Sequence, residues 1–239
     1  MRATVSEERL LPGVGSTGTP LLRLDGVRKQ FGDEVVLDRV DLEVRGGALV
    51  GVVGGPGAGK TTLTSIAAGL LPPDDGVLWL FGEDLWDGSG LIRTGVALVP
   101  ADDGAVLDRR PCRDVLVGAG MGHGLPRSVA ERRATLLLAV CELTDVADLP
   151  VHGCTTGQRL LLRLATALLG ERRLLVLDDP FTGVDAWAFG VVRAVLREFT
   201  AAGGGVLCAV RSPERVAPWC DRVVEPFRGS GCAFDSNTR

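Results

Sequence analysis

Leu49-Val50-Gly51-Val52-Val53-Gly54-Gly55-Pro56-Gly57-Ala58-Gly59-Lys60-Thr61-Thr62 is the stretch whose reading decides the fold. It begins as a short, Val-rich apolar run, the pattern of a buried strand. A glycine-rich loop follows, and Thr61 to Leu71 then carries a helical pattern. Between strand and helix, Gly54, Gly59, Lys60 and Thr61 fill the pattern G-x-x-x-x-G-K-[ST], which in that context means phosphate binding. Glycines lack a Cβ, so successive backbone N–H groups can turn inward on a polyphosphate, and the helix start adds the positive end of its dipole. The candidate binding set is therefore Gly54, Gly55, Pro56, Gly57, Ala58, Gly59, Lys60, Thr61 and Thr62. Lys60 is expected between the β- and γ-phosphates as a point charge, and the Thr61 hydroxyl on Mg²⁺. The bland alternative, a glycine turn before an ordinary core helix, is disfavoured by the full spacing together with Lys-Thr.

Working outward, 239 residues of 46% hydrophobic and 23% charged composition suffice for one α/β core without staples. A net charge of -4 removes the electrostatic case for nucleic acid as a partner. The six cysteines (Cys112, Cys141, Cys154, Cys208, Cys220, Cys232) form no C-x-x-C pair, and His152 near Cys154 is too little for a zinc site. They read as small buried hydrophobes in a reducing compartment, with neither metal nor a disulfide framework. Met1 to Arg9 lacks the apolar core of a signal peptide, and no run reaches the roughly 18 apolar residues of a membrane span. The expectation is a soluble chain whose membrane role comes through a partner.

Residues 1–20 read as a flexible leader and 226–239 as a flexible tail, leaving one domain over 21–225. Leu22 to Val27 and Val40 to Val44 alternate as antiparallel strands about a turn at Phe31-Gly32-Asp33-Glu34. Phe31 is either core packing or a platform on which a base could stack. After the stop at Leu70 to Gly76 come a strand at Val77 to Phe81, a loop at Gly82 to Gly90 and an apolar run at Thr94 to Val99. Helical periods at Arg113 to Val117 and Val129 to Leu143 predict a helical subdomain over about 102–156, with a flexible loop at Met121 to Pro126 and a solvated His123. Gly157 to Leu169 predicts a helix.

Leu174 to Leu177 is continuously apolar and ends in Asp178 and Asp179, as a strand covered on both faces would. An Asp at the carboxyl end of such a strand points into the ligand crevice of an open α/β sheet; a helix N-cap is the other reading. In the first case Asp178 joins Thr61 at Mg²⁺, and the two sites together read as nucleoside triphosphate binding. Ala186 to Phe199 predicts a helix, Gly205 to Val210 a strand, Pro213 to Trp219 a short helix and Arg222 to Val224 a last strand.

With both sites in view, the sequence resembles the ATP-binding subunits of ABC transporters from about Leu21 to Val224. Val35-Val36-Leu37-Asp38-Arg39-Val40-Asp41-Leu42 is similar to the segment before that family's Walker A loop, Leu174 to Asp178 to its Walker B, and Thr182-Gly183-Val184-Asp185 to its D-loop. The resemblance implies a P-loop NTPase (ABC ATPase) fold: an α/β core with a mainly parallel sheet, an N-terminal antiparallel β subdomain and a helical subdomain insertion. It also implies ATP and Mg²⁺ as cofactors, adenine stacking on Phe31, and a head-to-tail homo- or heterodimer on an integral membrane permease at the inner face of the cell membrane. The signature motif L-S-G-G-Q corresponds to Cys154-Thr155-Thr156-Gly157-Gln158, with Thr155, Gly157 and Gln158 as the partner-site residues.

Four positions depart from the family pattern. Thr156 adds a Cβ where the family has glycine, which predicts crowding or a strained φ. Asp179 replaces the catalytic glutamate, shortened by one methylene. Ala101 replaces the Q-loop glutamine, with Asp102 and Asp103 beside it. Arg211 replaces the switch histidine, and an arginine cannot shuttle a proton at neutral pH. The expectation is a Mg-ATP-binding, energy-coupling subunit, exporter-type, whose hydrolysis is impaired. The alternatives are a pseudo-ATPase acting as regulatory or degenerate partner, or a soluble non-transport member of the superfamily.

Overall fold

The structure is a computed structural model that describes residues 18–87, 95–101 and 108–225; most of the expected leader, the whole expected tail, Asp102 and Asp103 lie outside them. Nine strands and five α-helices are described: β1 (Leu22–Phe31), β2 (Glu34–Val44), β3 (Leu49–Val53), α1 (Lys60–Ala67), β4 (Asp75–Leu80), β5 (Glu83–Asp84), β6 (Val96–Val99), α2 (Cys112–Gly122), α3 (Arg127–Val140), α4 (Thr156–Ala167), β7 (Leu174–Asp178), α5 (Ala186–Ala201), β8 (Gly205–Val210) and β9 (Arg222–Val224).

The strands form two sheets whose composition follows their burial. β1 and β2 alternate buried and exposed residues and pair antiparallel from Leu22 opposite Val44 to Phe31 opposite Glu34, with β4 and β5 beyond, in the order β2-β1-β4-β5. Every residue of β3, β7 and β8 is buried, as a sheet covered on both faces demands. These strands form a second sheet in the order β6-β7-β8-β3-β9, with every pair parallel.

Period-two alternation along β7 divides the core. Leu174 and Val176 join a cluster with Leu22, Leu24, Leu63 and Leu78 between the two sheets. Leu175 and Leu177 face the opposite cluster, with Leu160 and Leu164 of α4 and Val192, Leu196 and Phe199 of α5. The leucines among them are essentially inaccessible, and each such side chain contributes about 1.5–3 kcal/mol. The predicted helical face of α4, Leu160, Leu161, Leu164 and Ala165, is buried throughout.

Local boundaries differ from the periodic reading where backbone chemistry intervenes. The first hairpin is longer than its two alternating runs, and its turn narrows to Gly32-Asp33. α1 stops at Ala67 rather than Leu71, because Gly69 turns left-handed at φ +71° and its N–H returns to the Ile66 carbonyl at 2.8 Å. Met121 and Gly122 belong to α2 rather than to a loop, and the His123 N–H closes that helix on the Ala119 carbonyl at 3.0 Å. His123 also has a partner rather than water alone, its Nε2 lying 3.2 Å from Arg172 Nη2. Between Ser212 and Trp219 only a 3₁₀ turn at Pro213–Arg215 forms, not a short α-helix.

Candidate nucleotide site

Because β6, β7, β8 and β3 run parallel, their carboxyl ends finish on one edge, with Val53 beside Val210, Asp178 beside Ala209 and Val99 beside Leu177. Two backbone bonds extend the pairing past the strand ends: Gly54 N–H donates to the Val210 carbonyl at 3.2 Å, and Asp179 N–H to the Ala209 carbonyl at 2.8 Å. The glycine loop, both aspartates, Arg211 and Ala101 therefore share the crevice edge at which open α/β sheets bind ligands.

Two positions of the glycine loop take a left-handed backbone that favours glycine. Gly57 and Gly59 have φ +74° and +93°, and a Cβ on Gly59 would stand 2.7 Å from Val36 Cγ1 of β2. The loop thus packs on the antiparallel sheet as it enters α1. Lys60 is largely buried, and its Nζ donates to the Gly54 and Gly55 carbonyls at 2.6 and 2.7 Å. Thr61 Oγ1 donates to Asp178 Oδ2 at 2.8 Å across 117 residues of sequence. Asp178 is buried at the end of its strand, which removes the helix N-cap reading. Burial pushes its carboxyl pKa up, with the Asp179 charge adding to that, while the Thr61 hydrogen bond and Lys60 act against it. Its Oδ1 is buried without a hydrogen-bond partner. An orphaned carboxylate oxygen beside a hydroxyl, in a site that disfavours the bare charge, is a donor set suited to a hard divalent cation such as Mg²⁺.

Asp179 is built differently. It is a non-glycine residue at φ +42°, a strained conformation that Asp tolerates better than most residues. Both of its oxygens have partners: Arg211 Nε donates to Oδ2, and Thr182 Oγ1 donates to Oδ1 at 3.2 Å. The Asp179 side chain is 12% exposed against 57% for Arg211, so the arginine covers the carboxylate from the solvent side. A cavity of about 200 Å³ beside the pair is lined by Asp179, Thr182, Gly183, Arg211, Ser212 and Arg215. Ala101, exposed just past β6, brings no polar side chain to this edge. Sequence reasoning named Asp179, Arg211 and, in the D-loop resemblance, Thr182, but missed that the three meet. The three-residue spacing of Thr182 from Asp179 within one short loop is the signal that could have found their contact.

The remaining candidates lie on other elements. Phe31, at the end of β1, is 51% exposed, which overturns the core-packing reading, and Lys29 Nζ stands 5.7 Å from its ring centroid. Thr155 is the N-cap of α4: its hydroxyl accepts from Gln158 N–H at 3.2 Å, while Gln158 Oε1 accepts from Thr155 N–H at 2.9 Å. Thr156 opens α4 and is absent from the positive-φ residues, so the predicted strain is found at Asp179 instead. Gly157 is required by packing, since a Cβ there would meet Ala188 Cβ at 2.5 Å and Asp185 Oδ2 at 2.9 Å. Asp185 in turn caps α5 by accepting from Ala188 N–H at 2.9 Å.

A family model described as ABC transporter matches residues 37–182, a span that runs from β2 through the glycine loop and Thr155–Gln158 to Thr182. The chain belongs to the ABC transporter family. It is similar to the Nod factor export ATP-binding protein I of Ralstonia nicotianae, 34% identical over 212 residues that cover 89% of this chain and 65% of that protein. The protein of the same name from Sinorhizobium fredii is 34% identical over 203 residues, covering 84% of this chain and 59% of the relative. The chain thus spans less than two thirds of the length of these curated relatives. Among solved structures, cbiO1 from Clostridium perfringens, described as part of the ABC transporter complex cbiONQ, superimposes with a TM-score of 0.75 at 21% identity, covering 85% of this chain and 83% of that one. A nucleotide-free ATP-binding cassette from an ABC transporter gives 0.76 at 20% identity, covering 90% and 92%. These likenesses show the ABC-type nucleotide-binding fold, and membership of the family implies ATP binding.

Proposed function

We propose that this ABC-type domain is the ATP-binding, energy-coupling subunit of an ABC transporter, exporter-type, that holds Mg-ATP firmly and hydrolyses it slowly at its own site. Export is favoured by the relatives named for Nod factor export. Phe31 would stack the adenine, the loop from Gly54 to Thr62 would hold the phosphates, and Thr61 and Asp178 would hold Mg²⁺, whose role is to neutralise phosphate charge. Thr155, Gly157 and Gln158 would complete the site of a second ATP-binding subunit, identical or not, in a head-to-tail dimer. No described helix is long and apolar enough to cross a membrane, so association with the inner face of the cell membrane would run through an integral permease.

The observation that carries slow hydrolysis is the engagement of Asp179. A general base must bring its acceptor oxygen within about 2.6–3.2 Å of the oxygen whose proton it takes. Here one carboxylate oxygen faces a permanently charged guanidinium and the other a hydroxyl. The same pairing favours the second reading, a pseudo-ATPase that serves as the regulatory half of a pair. Single-turnover hydrolysis of the purified chain, with and without a candidate partner subunit, tests the proposal. Slow turnover alone with acceleration in the complex is the expected result, and no turnover in either selects the regulatory reading. Brisk turnover by the chain alone, within the roughly 1–10³ s⁻¹ typical of enzymes, overturns both.

A further inference from the structure

In another part of the chain, two cysteines that are 42 residues apart in sequence meet. Cys112, the first residue of α2, and Cys154, the residue before the N-cap of α4, bring their sulfurs to 3.4 Å, and both thiols are buried and free. Their segments are aligned by backbone bonds. Cys112 N–H donates to the Leu149 carbonyl at 3.1 Å, Arg113 N–H to Ala147 at 2.9 Å, Val151 N–H to Arg110 at 3.1 Å and His152 N–H to Asp108 at 3.0 Å. A β-bridge joins Pro111 and Pro150 between them. The two sulfurs already touch, and these bonds tie together the segments that carry them, so a disulfide of roughly 2.05 Å would join groups that the fold holds side by side.

We propose that Cys112 and Cys154 are an oxidative modification site, a dithiol that a low-molecular-weight disulfide converts to a reversible cross-link between the start of α2 and the segment entering α4. The thiolate of one cysteine attacks a sulfur of the small disulfide and expels one small thiol, leaving a mixed disulfide. The second cysteine attacks the protein sulfur and expels the other small thiol. Two protein thiols become one disulfide, and their two protons and two electrons leave with the two small thiols. Burial pushes the Cys112 thiol up to about 12, with the Cys154 contact adding to that. The reaction therefore waits on local opening of the paired segments, which marks it as a slow, cumulative modification rather than a fast sensor.

The cross-link acts on a specific place. Cys154 adjoins Thr155, and the Cys154 carbonyl accepts from Arg159 Nη1 at 2.6 Å, so the linked residue is tied into the first turn of α4. A closed loop restricts the excursions by which that turn opens. Where the proposed function holds, this is the turn that faces the second subunit's nucleotide; the cross-link itself rests on geometry alone.

The test uses the whole chain and oxidised glutathione as the probe. After incubation under native conditions, non-reducing peptide mapping is expected to recover the Cys112 and Cys154 peptides as one species lighter by two hydrogens, returned to two thiols by dithiothreitol. Amide exchange over residues 155–159 is expected to slow by about tenfold in the oxidised form. With Cys112→Ser, Cys154 should instead carry the mixed disulfide with glutathione, a readout that needs no cross-link and reports the first chemical step. Recovery of both wild-type cysteines as free thiols overturns the proposal, as does a cross-link that leaves exchange at 155–159 unchanged. Failure of Mg-ATP binding in a parallel measurement would count against the proposed function and leave this result standing.

Discussion

Two aspartates that are neighbours in sequence have opposite environments. Asp178 is buried, hydrogen-bonded on one oxygen by Thr61 and orphaned on the other, with its carboxyl pushed toward the neutral form. Asp179 turns the other way at φ +42° and has both oxygens engaged, one by an arginine and one by a threonine. The first is short of partners, as suits a group awaiting a cation. The second already accepts a hydrogen bond on each oxygen, and the guanidinium and hydroxyl that donate them hold the carboxylate in place and compete with water for it. Within one crevice, then, the groups that would hold Mg-ATP are poised, while the group that would activate water is occupied. Under the proposed function, binding and turnover would separate because they would rest on different residues of the same strand end.

The largest expected effect lies on the holding side. Lys60→Ala removes the charge that rests on the Gly54 and Gly55 carbonyls and would meet the phosphates, and should weaken Mg-ATP binding about 100-fold, about 2.7 kcal/mol, by calorimetry. Undiminished affinity would break the comparison at its stronger end. Next comes the occupied side: Asp179→Glu combined with Arg211→His restores carboxylate reach and frees it from the guanidinium. Single-turnover hydrolysis should rise about 10- to 100-fold with little change in nucleotide affinity. If the rate does not move, the limit lies elsewhere, with Ala101 the first position to examine.

Smaller effects probe how the two sides are built. Gly59→Ala forces a Cβ into Val36 at a φ of +93°, and about 2 kcal/mol of strain should lower Tm by roughly 4–8 °C. An unchanged melting curve would mean that the loop is not held against β2. The smallest effect concerns Asp178 itself. Its folded pKa lies above the ordinary value of 3.8, so between the two the native state keeps a proton that the unfolded chain has released. Stability from this group is full below the unfolded pKa and falls as pH rises through the folded one. Asp178→Asn should therefore raise the nucleotide-free Tm by about 2–4 °C at neutral pH and flatten its acid-side slope, checked by melting curves across pH. A lower Tm at neutral pH would show that Asp178 is stabilised by contacts rather than strained by burial.

Much of this was legible in the chain. The glycine loop is a local device: its turn, its lysine and its helix start follow one another within 14 residues, so spacing alone could identify it. The continuous apolar run of β7 likewise announced a strand buried on both faces with an aspartate at its end. Phe31 was undecidable, because alternation along a strand places an aromatic at an edge without saying whether anything covers it. Cys112, Cys141, Cys154 and Cys208 are free and buried, as read, but the meeting of Cys112 with Cys154 was not legible, because spacing can report only pairs close in sequence and these are 42 residues apart.

The sequence by itself determined which groups exist: a phosphate-binding loop, two carboxylates after an apolar strand, and an arginine after another. Only the tertiary structure decided which of them touch. Placing β8 between β7 and β3 sets the end of β8 beside the end of β7, and that strand order brings Arg211 onto Asp179 and leaves Asp178 to Thr61. Strand order is a property of how whole sheets bury their faces, and no local pattern of residues carries it.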